Sequence, residues 1–196
     1  MYAADQSVQD YDKACRMPLL SEIYKAYSSR CFRANAMDFD DLLLNTNILF
    51  RDFPAILAAY QEKFMYILVD EYQDTNYSQY LIIRKLSELH QNLCVVGDDA
   101  QSIYSFRGAR IENILEFRNH YDGYRLFKLE QNYRSTQTIV NAANSIIANN
   151  QGQITKKVFS KNEEGEKIQV MQAMTDTEEG FNISSDIFDK RFSRQL

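Results

Sequence analysis

The sequence has no tryptophan, and its 196 residues include only two prolines, three cysteines and six glycines. The cysteines are far apart and form no CxxC pair, which argues against a disulfide framework or a zinc site and favours a cytoplasmic protein. No run approaches the roughly 18 consecutive apolar residues of a membrane span, so no membrane partner is expected. The N-terminus also lacks the basic and apolar segments of a secretory signal.

The charge balance limits how the chain could bind nucleic acid. A net charge of −5 argues against bulk electrostatic binding of nucleic acid. It leaves open a local groove in which aromatic rings stack on bases. Hydrophobic residues make up 45% of the chain, enough to bury a core. The length allows one domain, or one domain and part of a second.

The hydrophobic pattern changes once along the chain. Helical spacing from Leu20, a capping residue at Asp38 and a proline at Pro54 predict that residues 1–62 are a helical segment. Two short apolar runs, 66–69 and 93–96, then flank a helix over 77–90. Such runs are typical of parallel strands buried on both faces, so the sequence predicts an α/β fold.

The rest of the chain extends this pattern. A helix is predicted over 111–120, followed by a third strand near 126–129 and a long helix. The polar stretch 151–165 is predicted to be a linker, and alternation over 168–173 predicts another strand before a helix from Glu178. We therefore expect one α/β domain over 63–150 and the start of another over 166–196.

Polar residues follow each of the first three predicted strands. In open α/β sheets, ligands bind at the carboxyl ends of the strands, so these residues are expected to meet at one edge. At the first strand end, Asp70 can hold Mg²⁺ and Glu71 can orient or deprotonate an attacking water. Taken alone, the pair is equally compatible with a solvated strand end. After the second strand, Gln101 suits contact with a terminal phosphate and a water, although a polar turn explains it as well.

Two further groups suggest contacts with nucleotides or nucleic acid. Tyr104 and Phe106 alternate along a segment predicted to be extended, where they could stack on bases, and Arg107 could reach a phosphate. The alternative is a loop whose aromatic rings pack inward. After the third strand, Arg134 could neutralise a transferring phosphoryl group and Tyr133 could stack on a nucleobase. The alternative there is a helix entry capped by the serine or threonine that follows.

Three longer segments resemble motifs II, III and IV of superfamily 1 DNA helicases of the UvrD, PcrA and Rep type. They are VDEYQDTN at 69–76, VVGDDAQSIYSFRGA at 95–109 and LEQNYRS at 129–135, and the upstream segment NAMDFDDL at 35–42 is also similar. The resemblance extends over residues 20 to 179. It implies paired RecA-like domains of the P-loop NTPase type, with ATP and Mg²⁺ between them and single-stranded DNA across their top.

The resemblance also implies a role for each site residue. Asp70 would bind the metal, Glu71 would activate water, and Gln73 would tie motif II to its neighbours beside the nucleotide. The remaining roles are a γ-phosphate sensor (Gln101), contacts to DNA bases (Tyr104 and Phe106), a link from motif III to the nucleotide (Arg107), stacking near adenine (Tyr133) and a γ-phosphate arginine (Arg134). The family often has tryptophan where Phe106 stands, and phenylalanine stacks more weakly.

A phosphate-binding loop, GxxxxGK[ST], does not occur, since none of the six glycines precedes a lysine. We therefore expect part of a 3′-to-5′ ATP-dependent DNA helicase that is inactive as an isolated chain. The alternative is a non-catalytic module that binds DNA or a partner protein, and a nuclease-linked relative is favoured less. Single-stranded or duplex DNA is the expected partner, and unpaired sheet edges could support self-association.

Overall fold

The structure is a computed structural model that describes residue 13, residues 15–150 and residues 152–194. Part of the predicted helical segment, residues 1–12 and 14, lies outside the described residues. The chain divides into two compact units, Met1–Tyr124 and Arg125–Leu196. Each unit is described separately below.

From Leu20 onward, the first unit forms the helices α1 (Leu20–Arg33), α2 (Phe39–Asp52) and α3 (Pro54–Lys63), as the sequence predicted. Asp38 caps α2 through a reciprocal pair of bonds. Its Oδ1 accepts from the Asp41 backbone N–H at 2.7 Å, and the Asp41 carboxylate accepts from the Asp38 N–H at 3.3 Å. Pro54 occupies the first turn of α3, where no intrahelical donor is needed.

A strand–helix–strand unit follows, which confirms the sequence prediction. Strands β1 (Ile67–Val69) and β2 (Leu93–Val95) pair in parallel, with Ile67 opposite Leu93. The connecting helix is α4 (Tyr77–Ser87), which begins at a capping box formed by Asn76 and Gln79. α4 packs against α2, where the Asn47 side chain donates to the carbonyl and hydroxyl oxygens of Ser78 at 3.1 and 2.9 Å.

Tyr72, just after β1, is part of the core of this unit. Tyr72 is completely buried and meets the ring of Phe117 edge-on, with the ring centres 6.1 Å apart. Burial raises the pKa of the Tyr72 hydroxyl, so this ring stays neutral. In both strands the outer residues are half-buried and the middle residue, on the other face of the sheet, is exposed, with Leu68 77% exposed. The prediction that these strands are buried on both faces is therefore wrong, because only one face of the sheet is covered.

Short elements follow β2. Two 3₁₀ turns, Asp99–Gln101 and Ser105–Arg107, precede helices α5 (Glu112–Leu115) and α6 (Phe117–His120). The single helix predicted over 111–120 is thus two helices that meet at Glu116, whose ψ of 5° departs from helical geometry.

The second unit contains a separate parallel pair, β3 (Gln131–Asn132) and β4 (Phe159–Ser160), together with helices α7 (Gln137–Ile147) and α8 (Asp176–Arg194). β3 pairs with β4 and not with the β1–β2 sheet, so the prediction that all three strand ends share one sheet edge is wrong. The predicted strand at 126–129 is also wrong. Phe127 and Leu129 are 79% and 84% exposed, so this apolar run packs against no sheet.

Two other sequence predictions differ from the structure of the second unit. β4 lies inside the predicted linker 151–165, and residues 168–173 form no strand. That segment alternates, yet Val170 is 91% exposed, and an unpaired strand has no ladder to stabilise it. Residues 125–150 belong to the second compact unit, together with the C-terminal residues. Among the described residues, no single helix is long and apolar enough to cross a membrane.

Candidate functional site

The carboxyl end of β1 turns sharply at Glu71. This residue has φ 49° and ψ 41°, a left-handed conformation that costs a non-glycine residue about 1–2 kcal/mol. The exposed Asp70 carboxylate accepts a hydrogen bond from the Glu71 N–H at 2.9 Å. The turn directs the 3₁₀ turn Tyr72–Asp74 back toward β2, where the Tyr72 N–H donates to the Val96 carbonyl at 2.9 Å. Backbone strain of this kind is concentrated at functional sites.

Gln73 joins the two strand ends from inside the protein. Its side chain is 1% exposed, and its Nε2 donates to Oε2 of Glu71 at 2.8 Å. Its Oε1 accepts from the Asp98 backbone N–H at 3.1 Å. A buried amide with both ends bonded cannot rotate without losing a bond, so Gln73 fixes the direction of the Glu71 carboxylate.

The chain of bonds continues to Gln101. The Gln101 side chain donates to Oδ2 of Asp98 at 2.8 Å, while Oδ1 of Asp98 caps the 3₁₀ turn by accepting from the Ala100 N–H at 3.1 Å. Three hydrogen bonds therefore connect Gln101 to Glu71 through Asp98 and Gln73. In each bond the donor is the residue nearer Gln101 along this path, and the acceptor is the residue nearer Glu71. The structure thus brings together the predicted residues of the first two strand ends.

Gly97 leaves the space that this arrangement needs. A Cβ at this position would lie 2.5 Å from Oε1 of Gln73 and 2.9 Å from Cδ1 of Ile114. A glycine after a strand commonly allows the chain a tight exit. The structure adds a different reason for glycine, which is the close approach of a buried amide.

Tyr104, Phe106 and Arg107 form an exposed aromatic platform. They lie on a 3₁₀ turn and its cap, so the predicted extended segment is wrong. The rings of Tyr104 and Phe106 are nevertheless neighbours, with centres 6.0 Å apart, and the Arg107 guanidinium carbon lies 5.5 and 5.4 Å from them. Phe106 is 76% exposed, so these rings do not pack inward. Exposed rings beside a cation suit stacking on single-stranded nucleic acid.

Tyr133 and Arg134 belong to the second unit, directly after β3. Oδ1 of Asn132 accepts from the N–H groups of Arg134 at 2.9 Å and Ser135 at 2.7 Å, which forms a tight polar turn. The Tyr133 side chain is 78% exposed, and Arg134 is exposed as well. Thr136 is the N-terminal cap position of α7, without a side-chain cap bond. These two residues are therefore presented by a different sheet from Asp70 and Gln101.

The donors at the end of β1 are the candidates for binding the magnesium ion that the resemblance implies. Among the described residues, no group of three or more histidine, cysteine or acidic side chains could hold a metal. Mg²⁺ at nucleotide sites uses only one or two carboxylates, with waters and phosphate oxygens completing its shell. Asp70 offers an exposed carboxylate with one oxygen engaged by a backbone N–H, so the donor set fits a nucleotide-bound Mg²⁺.

Sequence reasoning missed a buried polar pair beside this site. The Asn113 side chain donates to both the carbonyl oxygen and Oγ1 of Thr75, each at 3.0 Å. No local pattern marks the pair, because 38 positions separate the two residues. The only signal was an asparagine within a helical run, where it is a weak helix former.

Comparison with known proteins places this sequence in a family. Residues 3–122 match the model of the UvrD/REP helicase N-terminal domain, and residues 127–195 match the model of the UvrD-like helicase C-terminal domain. The chain therefore belongs to the UvrD/REP helicase family.

Two curated relatives illustrate the similarity. DNA helicase II of Rickettsia typhi is 48% identical over 165 residues, which are 84% of this chain and 25% of that protein. ATP-dependent DNA helicase PcrA of Staphylococcus aureus is 48% identical over 161 residues, 82% of this chain and 22% of that protein. The chain thus spans about a quarter of the length of the relatives it matches.

Proposed function

We propose that this chain is part of an ATP-dependent DNA helicase, in which it provides the magnesium-and-water side of the hydrolysis site and a surface for single-stranded DNA. The observation that carries the proposal is the bonded path from Gln101 through Asp98 and Gln73 to Glu71. A solvated strand end would need no buried amide to orient one of its carboxylates.

The first unit supplies the groups for hydrolysis. Asp70 would hold Mg²⁺, which supplies positive charge to the phosphate oxygens when bound. Glu71 would orient an attacking water and accept its proton, with its carboxylate direction set by Gln73. Gln101 would contact the terminal phosphate, and its bond to Asp98 would pass any displacement to Gln73.

Two other surfaces have supporting roles. On the aromatic platform, Tyr104 and Phe106 would stack on bases while Arg107 lies beside a phosphate or the nucleotide. In the second unit, Tyr133 would stack near adenine, and Arg134 would stabilise charge on the transferring phosphoryl group. The exposure of both side chains and the resemblance of LEQNYRS support these last two roles.

The architecture that we propose is RecA-like. The parallel β1–β2 pair with its polar carboxyl ends supports assignment of residues 63–124 to the later part of a first motor domain. The separate β3–β4 pair supports assignment of the second unit to the start of a second motor domain. Movement along DNA in the 3′-to-5′ direction follows from the resemblance.

A graft into a full-length relative tests the proposal. Residues 15–194 of this chain would replace the aligned region of the Staphylococcus aureus PcrA, and ATP hydrolysis would be measured with and without single-stranded DNA. We expect DNA-stimulated hydrolysis by the graft and a kcat about 10²–10⁴-fold lower in Glu71→Gln, the usual contribution of a general base. Asp70→Asn should raise the Mg²⁺ concentration needed for activity.

Glu88→Gln serves as the matched control, because Glu88 is an exposed carboxylate at the end of α4 and away from the β1 strand end. It should leave hydrolysis unchanged. Equal activity of the Glu71→Gln and unmodified grafts would contradict the assigned role of Glu71. A folded graft that binds single-stranded DNA without hydrolysing ATP would support the non-catalytic alternative.

A further inference from the structure

Thr75 and Asn113 form a buried polar contact that the proposed chemistry does not use. Asn113 lies in α5 and is 7% exposed, and Thr75 is 8% exposed. Besides accepting both bonds from Asn113, Thr75 donates from its own Oγ1 to the Tyr72 carbonyl at 2.7 Å. The Asn113 amide nitrogen and both oxygens of Thr75 each have a specific partner, so the two residues can adopt few alternative arrangements.

The contact joins the segment after the aromatic platform to the segment after Glu71. The Thr75 carbonyl accepts a second bond from the Arg110 N–H at 3.0 Å, and Asn76 forms an antiparallel bridge with Ala109. We call this set of contacts, made by Thr75, Asn76, Ala109, Arg110 and Asn113, the Thr75 clasp. The first residue of the clasp, Thr75, directly follows the 3₁₀ turn Tyr72–Asp74 that carries Gln73.

The platform is also attached at its other end. The hydroxyl of Ser102 donates to the Gln73 carbonyl at 3.3 Å, just before the platform begins. The exposed turn at 103–108 is therefore fixed at both ends to residues 73–76, which begin two positions after Glu71. Within the turn, the N–H groups of Arg107 and Ala109 donate to the Tyr104 carbonyl at 2.9 and 3.2 Å, so the turn can move as one unit.

We propose that Asn113 is a positioning residue that holds the aromatic platform in register with the Glu71 carboxylate. Asn113 contacts neither nucleotide nor DNA in this scheme and acts through Thr75. The proposal rests on the proposed function for its consequence, which is coupling between DNA contact and hydrolysis. The geometric part, the anchoring of residues 104–109 by Asn113, is independent of that function.

The test compares two asparagines that make the same kind of contact. In Asn113→Ala, the Thr75 carbonyl and hydroxyl oxygens lose their amide donor. In Asn47→Ala, the carbonyl and hydroxyl oxygens of Ser78 lose theirs, at a contact between α2 and α4. Both variants are expected to lose some stability. Only Asn113→Ala should loosen the platform.

Backbone ¹⁵N relaxation of the 196-residue chain measures this difference at a temperature where circular dichroism shows every variant folded. In Asn113→Ala, order parameters over 104–109 should fall from the rigid range near ~0.85 to below ~0.6. They should stay unchanged in Asn47→Ala and in Thr75→Ser, which keeps the hydroxyl. Unchanged values in Asn113→Ala, or an equal fall in Asn47→Ala, would overturn the proposal.

Binding of a fluorescein-labelled oligothymidylate provides the second measurement. We expect Asn113→Ala to weaken affinity about fivefold to tenfold, the scale of losing bonds to a buried carbonyl, with Asn47→Ala near the unmodified chain. Affinity equal in both variants would refute coupling of Asn113 to DNA contact. If the unmodified chain does not bind the oligonucleotide, the proposed DNA surface is contradicted, whereas the relaxation result still decides whether Asn113 anchors the platform.

Discussion

Replacement of Gly97 by alanine is a direct test of the buried connection between the strand ends. The added Cβ would lie 2.5 Å from Oε1 of Gln73, well inside van der Waals contact, and 2.9 Å from Cδ1 of Ile114. The end of the isoleucine side chain can shift at low cost. Gln73 cannot, because its amide is held by Glu71 at one end and by Asp98 at the other.

The expected loss of stability follows from these contacts. Overpacking a core position by one methyl group costs about 1–3 kcal/mol. Displacing the Gln73 amide would add about 1–3 kcal/mol if a buried polar group were left unpaired. The Gln73 side chain can relieve the clash only by giving up a hydrogen bond, so the overpacking cost and the cost of an unpaired amide do not add in full. We expect a total loss of stability of about 2–4 kcal/mol. Gly97 has no positive φ, so backbone strain adds nothing.

Urea unfolding followed by circular dichroism measures the effect. Gly152→Ala is the control, because its Cβ would have nothing within 4 Å. In a Gln73→Ala background, the Oε1 clash is gone, so Gly97→Ala should cost at least about 1 kcal/mol less than in the unmodified chain. A cost within about 0.5 kcal/mol of the Gly152→Ala control, or full additivity with Gln73→Ala, would refute this reasoning.

Three other predictions concern activity, DNA binding and acid stability. The isolated 196-residue chain should show no ATP hydrolysis, because its sequence contains no phosphate-binding loop; DNA-stimulated hydrolysis abolished by Glu71→Gln would contradict this. Its affinity for single-stranded DNA should be weak and should fall about tenfold or more in the Tyr104→Ala, Phe106→Ala double variant, measured by fluorescence anisotropy; an unchanged affinity would exclude the platform. Hydrogen bonds from the Asp41 N–H and then the Tyr27 hydroxyl lower the pKa of Asp38 below 3.8. The stabilising contribution of the ionised Asp38 is therefore present above that pH and lost as pH falls through the lowered pKa. Thermal melts at pH 6 and pH 2.5 should show a larger fall for the unmodified chain than for Asp38→Asn, whose amide oxygen still accepts a bond; equal falls would argue against this cap as an acid-sensitive contact.

The local part of this fold was predictable from the sequence. Helix starts at Asp38 and Pro54 depend on residues within one turn, and the polar ends of β1 and β2 follow from chain order and the geometry of a parallel pair. The same reasoning failed for 126–129, because a strand is defined by its partner. Nothing in that run indicates that the next strand, β3, pairs with residues 159–160 instead.

The site was predictable to a similar extent. The types and spacing of Asp70, Glu71 and Gln101 predicted a magnesium-and-water site, which stays a prediction, and the structure brings the ends of β1 and β2 together. The contacts that fix them were not predictable, since Gln73 is joined to Asp98 across 25 positions. The left-handed conformation of Glu71 was also not predictable, because it too depends on contacts between residues that are distant in sequence. Local propensity opposes it, and it becomes visible only once a tertiary contact is known.

The left-handed conformation of Glu71 and the position of the buried Gln73 amide depend on each other. With Glu71 in an ordinary extended conformation, the chain would continue along β1 and carry Gln73 away from β2. The left-handed turn instead returns the chain, so that Tyr72 bonds to the Val96 carbonyl and the Gln73 amide reaches Asp98. The bonds made by Tyr72 and Gln73 offset the local cost of the turn. The Glu71 carboxylate is thus held by the packing of its neighbours. If Glu71 has the proposed role, a variant that removes Gln73 should disturb hydrolysis in a full-length graft, even though Gln73 itself contacts no substrate in this scheme.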